Sequence, residues 1–391
     1  MAASLRIEGN GLRFVALFLV LVAIPAPGLA DLPESFPRTV VWSAYNLGST
    51  GYNQSVAIGK VFKDHYGVTL RVLPGKNDVS RLLPLVRGRV QLSANGIATY
   101  FAQEGMFQFE NAAWGPLPVR LVMASNGESN QALAVAADTG IESYDQLAGR
   151  RIPYVRGAPS INVSTEAFLA CGGLGWADVE RVDFPGYNAM WNGIVNGQVD
   201  AAYATTVSGP TRKLEASPRG IRWPAAAHDD EDCWQRLWAV GPYFSRHIAT
   251  RGAGISAEQP HEGATYPYPL LIGLDTTDAE LVYGTAKVIH QHYDAYKNAD
   301  PGAVGWAMDR QLFAWVVPYH RGAVRYFKEL GLWTEAFDAH NRALINRQEI
   351  LGQAWREFVV GTSATGDEFR AAWRKRRVIA LEAASLDPVW R

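Results

Sequence analysis

Two loops carry the residue types from which an anion site could be assembled. The first, Gly48-Ser49-Thr50-Gly51-Tyr52-Asn53, sets hydroxyls, a phenol and an amide beside a helical pattern. The second, Gly157-Ala158-Pro159-Ser160-Ile161-Asn162, also opens a helix. Such a junction leaves backbone N–H groups without intrahelical partners at the positive end of the helix dipole, which suits a carboxylate or another small anion. Ser49, Thr50, Tyr52 and Asn53 are therefore candidate contacts in the first loop, and Ala158, Ser160 and Asn162 in the second. Helix capping is the ordinary role of these hydroxyls, and both roles can coexist. Arg156, just before the second loop, could grip a carboxylate bidentately or form a surface ion pair.

Further candidates stand at strand ends. Lys76 and Asn77 follow Pro74-Gly75, Asn95 follows Ala94, Tyr187 follows Pro185-Gly186, and Thr205 and Thr206 follow Ala204. Trp114, Trp191 and Tyr268 read either as an apolar wall or as core. Catalytic signals are thin. The chain has no Gly-x-Ser-x-Gly elbow, no phosphate-binding Gly-x4-Gly-Lys-Ser/Thr and no His-Glu-x-x-His. His228-Asp229-Asp230-Glu231-Asp232-Cys233 reads as a solvated acidic loop, because adjacent residues do not all converge on one ion, with a Ca²⁺ contact as the alternative. His290, His292 and His320 read as structural. Neither a metal nor a cofactor is expected.

The elements that position these residues repeat. Strand 39–43, a glycine loop, a helix over 55–66, strand 68–73, a helix over 79–87 and strand 91–94 form the first run. Strand 151–155, a second glycine loop, a helix over 163–171, strand 179–184, a helix over 189–195 and strand 201–204 form the second. Gly48 to Gly157 and Gly88 to Gly197 are each 109 residues, and Pro74 to Pro185 is 111. Each run is a β-loop-α-β-α-β unit with right-handed crossovers. Two facing lobes of this kind place ligand residues outside the carboxyl ends of parallel strands, in the cleft between them. Residues 120–124 and 132–137 read as the outward crossing and 270–274 as the returning strand, with helical patterns over 279–296, 323–330, 335–359 and 368–383.

The two loops, together with Asn196-Gly197-Gln198-Val199-Asp200-Ala201 and Val317-Pro318-Tyr319-His320-Arg321-Gly322-Ala323, resemble the TAXI-type solute-binding proteins of TRAP transporters. The likeness runs over roughly residues 38–335; the first loop has less glycine and more amide than the family pattern, and the helices after Trp333 pass its usual end. The resemblance implies an α/β, two-lobed periplasmic-binding-protein fold of type II-like form, each lobe a mostly parallel sheet flanked by helices. It implies lobe 1 from 31–125 and 240–335 and lobe 2 from 126–239; the helical patterns past the family's usual end read as a C-terminal extension over 336–391 packing on lobe 1. It also implies a C4–C5 dicarboxylate or acidic amino acid as ligand, TRAP membrane subunits as partners, and a monomer. An exported enzyme, or a receptor for a membrane sensor, on the same scaffold remains the alternative.

Composition agrees with a large folded chain. Of 391 residues, 48% are hydrophobic and 19% charged, so a charge-rich disordered chain is excluded. A net charge of -1 argues against a nucleic-acid binder and requires any anion preference to come from local devices. Arg6 and Arg13 precede the apolar run 14–24, then Pro25, Pro27 and Gly28-Leu29-Ala30. That order reads as an export signal cleaved after Ala30, hence a periplasmic protein; the run falls short of the ~20 residues a membrane span takes. Cys171 and Cys233, 62 residues apart, could pair after export, but two unpaired, mostly buried thiols is the reading taken here.

Overall fold

The structure, a computed structural model, describes residues 32–391; the leader and its cleavage site lie outside the described residues. The first run forms β1 (Thr39–Ala44), α1 (Thr50–Tyr66), β2 (Thr69–Pro74), α2 (Asp78–Val86), β3 (Leu92–Asn95) and α3 (Ala98–Glu104). Two wholly buried strands follow, β4 (Val119–Ala124) and β5 (Gln131–Ala136). The second run is β6 (Arg151–Val155), α4 (Pro159–Cys171), β7 (Glu180–Phe184), α5 (Tyr187–Val195), β8 (Ala201–Thr205) and α6 (Gly209–Glu215). Then come β9 (Ile221–Arg222), α7 (Glu231–Val240), β10 (Ser245–Ala249), β11 (His261–Thr265) and β12 (Leu270–Leu274). Helices α8 (Ala279–Gln291), α9 (Tyr293–Tyr296), α10 (Arg321–Glu329), α11 (Glu335–Gly361) and α12 (Gly366–Ala383) complete the chain.

Local sequence explains the helix ends. Gly67 ends α1 at φ +65°, a left-handed conformation that only glycine adopts at no steric cost. Asn77 and Ser80 close a reciprocal capping box at the start of α2. Pro159 sits in the first turn of α4, where its missing N–H is not needed. Asp278 and Thr334 accept the N–H groups of Leu281 and Phe337 at the starts of α8 and α11.

One sheet has the order β2-β1-β3-β12-β4, the other β10-β11-β5-β8 with β9 on β5, and β6 pairs with β7 separately. β1 runs parallel to β2 and β3, and β6 parallel to β7, as the repeat predicts. The crossing and returning strands do not follow suit. β12 is antiparallel to β3 and β4, so the first sheet is mixed, and β5 is antiparallel to β8, β9 and β11, as β10 is to β11, so the second sheet is antiparallel in its described pairings. A strand that enters from the other sheet arrives without a helical crossover and pairs antiparallel.

The expected return at residue 240 comes later. Residues 245–265 form the antiparallel pair β10–β11 on the edge of the second sheet, and the chain reaches the first sheet only at β12. The segments crossing between sheets hold each other: Ser125 N–H donates to Pro269 O at 2.8 Å, and Tyr268 N–H to Ser125 O at 2.6 Å.

The two thiols are not free. Cys171, at the end of α4, is disulfide-bonded to Cys233 in α7. Packing of α4 against α7 brings together positions whose sequence separation gave no hint of proximity. Asp230 of the acidic stretch caps α7 by accepting from Cys233 N–H at 2.9 Å.

The last two helices pack beside α3 around a buried charge cluster. Arg347 donates to both oxygens of Glu104 at 2.7 and 2.8 Å. Arg377, fully buried, reaches the same carboxylate and the carbonyls of Pro388 and Trp390 at 2.8 and 2.7 Å. Burial alone would raise the Glu104 carboxyl, but hydrogen bonds and charge from Arg347 and Arg377 outweigh it and hold the carboxyl below its usual range. Trp390 then packs against Tyr100, Phe101 and Phe107, and its indole N–H donates to Val240 O at 3.2 Å.

Candidate functional site

The carboxyl ends of β1, β2 and β3 face those of β6 and β8 across a cleft floored by the two crossing segments. From the first sheet come Tyr45, Asn46 and Ser49 after β1, Lys76 to Arg81 around the start of α2, and Gly96 after β3. The second sheet contributes Gln131, Tyr203 and Thr205, the helices that follow β6 and β7 contribute Ser160, Ile161 and Tyr187, and the crossing segment adds Tyr266 and Tyr268. The space is ≈ 520 Å³, solvent at its mouth included.

The walls touch along a seam, so the structure describes a closed arrangement. Val79 N–H donates to Gly157 O at 3.2 Å, Tyr187 N–H to Lys76 O at 3.2 Å, and the Asn77 amide to Arg156 O at 2.9 Å. The Asn188 amide donates to Leu47 O at 3.3 Å on the other rim. Glycine makes this approach possible. A Cβ on Gly186 would stand 3.0 Å from Lys76 O, and one on Gly209 2.5 Å from Gly48 O.

An ion pair sits inside. Asp78, 1% exposed, binds Arg81, three residues on in α2. The other Asp78 oxygen accepts the N–H of Ser160, in the first turn of α4, at 2.8 Å. The anion-attracting helix end that the sequence assigns to a ligand is thus met by a carboxylate from the opposite wall. The Arg81 guanidinium lies 4.0 Å from the Tyr45 ring centroid, and its Nε has no hydrogen-bond partner among the described residues. Five tyrosines, Tyr45, Tyr187, Tyr203, Tyr266 and Tyr268, face the same space, and burial pushes all their phenols up, keeping them neutral.

Of the residues expected from sequence, Ser49, Lys76, Asn77, Ser160, Tyr187 and Thr205 line the cleft, as does Tyr268. The others have structural partners instead. Thr50 donates to Asp300, and Asn53 does so at 3.4 Å, tying α1 to a later loop. Tyr52 packs at the edge of the Tyr45–Ala94 cluster. Asn95 turns back, donating to Ser93 Oγ at 3.1 Å and accepting from Gly96 N–H at 3.2 Å. Arg156 is 74% exposed and pairs with Asp183 at 3.2 Å, so its surface alternative is the one realised. Ala158 is a buried helix-start residue. Asn162 brackets Val155, accepting its N–H at 2.8 Å and donating to its carbonyl at 2.9 Å. Thr206 accepts from Asn130 N–H and donates to Arg251 O at 3.0 Å. Trp114 packs on Phe109, and Trp191 is buried beside Tyr187.

Beside the candidates drawn from the sequence, the cleft also holds Asp78, Arg81 and the strand-end tyrosines Tyr45 and Tyr203. Their signal was present: an Asp in the first helical turn followed three residues later by Arg, on a helix whose remaining buried positions are Leu82 and Leu85. His290 and His292 bond the phenols of Tyr326 and Tyr66, at 2.7 and 2.9 Å. No group of three or more metal-ligating side chains is assembled among the described residues. No described helix is long and apolar enough to cross a membrane.

The profile of the NMT1-like family matches residues 47–331, a span that contains both crossing segments, every strand after β1 and the cleft residues from Ser49 onward. The chain belongs to the NMT1-like family. That assignment is coarser than the TAXI resemblance and does not specify a transporter type. A search of curated proteins found no match. Among solved structures, this NMT1-like chain is similar to the periplasmic aliphatic sulphonate binding protein SsuA from Escherichia coli, at 12% identity and TM-score 0.41, covering 90% of this chain and 89% of that one. It is also similar to the R. palustris protein Rpa4515 with adipate, at 15% identity and TM-score 0.48, covering 81% and 97%. The chain is similar, too, to the amino acid ABC transporter substrate-binding protein AbpA from Streptococcus pneumoniae, bound to L-arginine, at 11% identity and TM-score 0.40, covering 68% of this chain and 96% of that one.

Proposed function

We propose that this NMT1-like protein is an exported solute-binding protein that captures a small organic anion in the periplasm and presents it, closed, to a membrane transporter. The observation that carries the reading is Arg81: a buried guanidinium with an unused N–H, set among tyrosines in a cleft whose two walls come from different sheets. No reaction is required. A ligand touched by both walls only when they meet stabilises the closed state by its differential affinity. Lys76 at the mouth adds positive charge to the approach. The TRAP-type membrane partner rests on the TAXI resemblance, and genes for TRAP membrane subunits beside this one would support it.

The test is a thermal-shift screen of the mature protein against organic acids and amino acids, with each hit assayed for turnover. A ligand at one hundred times its Kd stabilises the folded state by about 2.7 kcal/mol, an easily read shift. Stabilisation without turnover is expected. If no acid moves the melting curve, the reading fails, and turnover of a hit would favour an exported enzyme.

A further inference from the structure

The charge layout of the cleft restricts which anion fits. We infer that the preferred ligand carries a single carboxylate on a flat, aromatic body, and that Asp78 excludes dicarboxylates; this rests on the organic-anion reading above. Arg81 is the one buried cation lining the cleft among the described residues, and one of its terminal nitrogens already serves Asp78. Its Nε–H remains for one acid group of a ligand. A second acid group would need another buried donor. The N-terminus of α4 is the obvious place, but Ser160 N–H there already donates to Asp78 Oδ2. A second carboxylate near it would face the Asp78 charge inside a closed, water-poor space, where like charges repel strongly. Lys76 compensates little, since it is exposed at the mouth, where solvent and salt screen its charge.

The body of the ligand is defined by rings. Tyr45 and Tyr268 stand 5.1 Å apart between centroids, and Tyr266 meets Tyr268 edge-on at 6.4 Å. Aromatic surfaces in these geometries favour a planar partner by stacking and edge contacts beyond simple burial. Neutral phenols add no charge to oppose the anion.

Calorimetric titration of the mature protein with benzoate, 4-hydroxybenzoate, terephthalate, succinate and acetate separates the terms. Benzoate and terephthalate share a ring and differ by one carboxylate; benzoate and acetate share the carboxylate and differ by the ring. The expected result is that an aromatic monocarboxylate binds at least tenfold tighter than terephthalate, succinate and acetate. In Asp78→Asn, whose amide oxygen can still accept from Ser160, the gap between benzoate and terephthalate should narrow at least fivefold. Succinate or terephthalate binding the unaltered protein as tightly as benzoate would overturn this inference while leaving the organic-anion reading standing. An unchanged gap in Asp78→Asn would overturn the role given to Asp78. Binding of none of these acids would overturn the inference, and the organic-anion reading falls with it only if the wider thermal-shift screen of organic acids and amino acids is also blank.

Discussion

Gly209→Ala is the sharpest perturbation of closure. Gly209 opens α6 on the second sheet's side, and a Cβ there would stand 2.5 Å from the Gly48 carbonyl oxygen on the first. Side-chain carbons rarely approach closer than 3.0–3.4 Å, so the two walls must separate by 0.5–0.9 Å at that rim. The obstacle is backbone, which cannot swing aside as a flexible side chain would. Separation on that scale carries the adjacent bond from the Asn188 amide to Leu47 O, already 3.3 Å, beyond hydrogen-bond range. Steric insertions of this kind cost about 1–3 kcal/mol, which corresponds to a roughly 5- to 150-fold shift in the closing equilibrium. Apparent affinity falls by the same factor when only the closed form grips the ligand. Within its own wall the new methyl meets nothing, and alanine is a better helix former than glycine, so the unliganded protein should melt close to the unaltered one. Calorimetric titration with the strongest acid from the thermal screen, beside a melting curve without ligand, gives both numbers. Affinity unchanged within twofold would refute the reasoning that closure along this seam is what holds the ligand.

Other expectations follow from single contacts. Arg156→Ala should change ligand affinity less than twofold by titration, because an exposed pair such as Arg156–Asp183 contributes about 0–1 kcal/mol and lies outside the cleft; a tenfold loss would return Arg156 to the site. Reducing the Cys171–Cys233 bond, or replacing both residues by serine, releases a loop closed over a separation of 62 residues and should lower unfolding stability by about 4 kcal/mol in the chain-entropy account, read from the urea midpoint. His320 accepts from Gly322 N–H through Nδ1 at the start of α10, and burial depresses its pKa from 6.5 to about 4. Between those values the unfolded chain binds the proton and the folded one does not, so stability is lost as pH falls from 6.5 toward 4, by about 3 kcal/mol. Urea unfolding across that range should show the slope, and His320→Asn, which keeps a cap without titrating, should flatten it.

Much of the architecture was legible in the sequence. The repeat showed because each β-loop-α-β-α-β run is marked by glycines at matching offsets and by strands of apolar residues. Helix starts were placed late: α1 begins at Thr50 rather than 55, and α4 at Pro159 rather than 163, because the loop residues fold into the first turn. β10 and β11 were missed since Ser245–Ala249 and His261–Thr265 are half polar and lack the continuous apolar run of a central strand. Of the candidates at loops and strand ends, Ser49, Lys76, Asn77, Ser160, Tyr187 and Thr205 line the cleft. Asn95, Asn162 and Thr206 instead turn their polar groups to nearby backbone, a choice that side-chain type does not reveal. Local pattern could show that Asp78 and Arg81 share a helical face, but that Asp78 meets Ser160 depends on two walls brought together by tertiary structure.

The proposed function places an organic acid between the two walls of the cleft with its carboxylate on Arg81. A crystal structure of the mature protein with the tightest acid from the screen tests it most directly. The expected result is a carboxylate oxygen within about 3.2 Å of Arg81 Nε, the ligand body among Tyr45, Tyr266 and Tyr268, and the seam from Val79 to Gly157 closed. An acid bound elsewhere, or bound in the cleft with Arg81 Nε still without a partner, would contradict it.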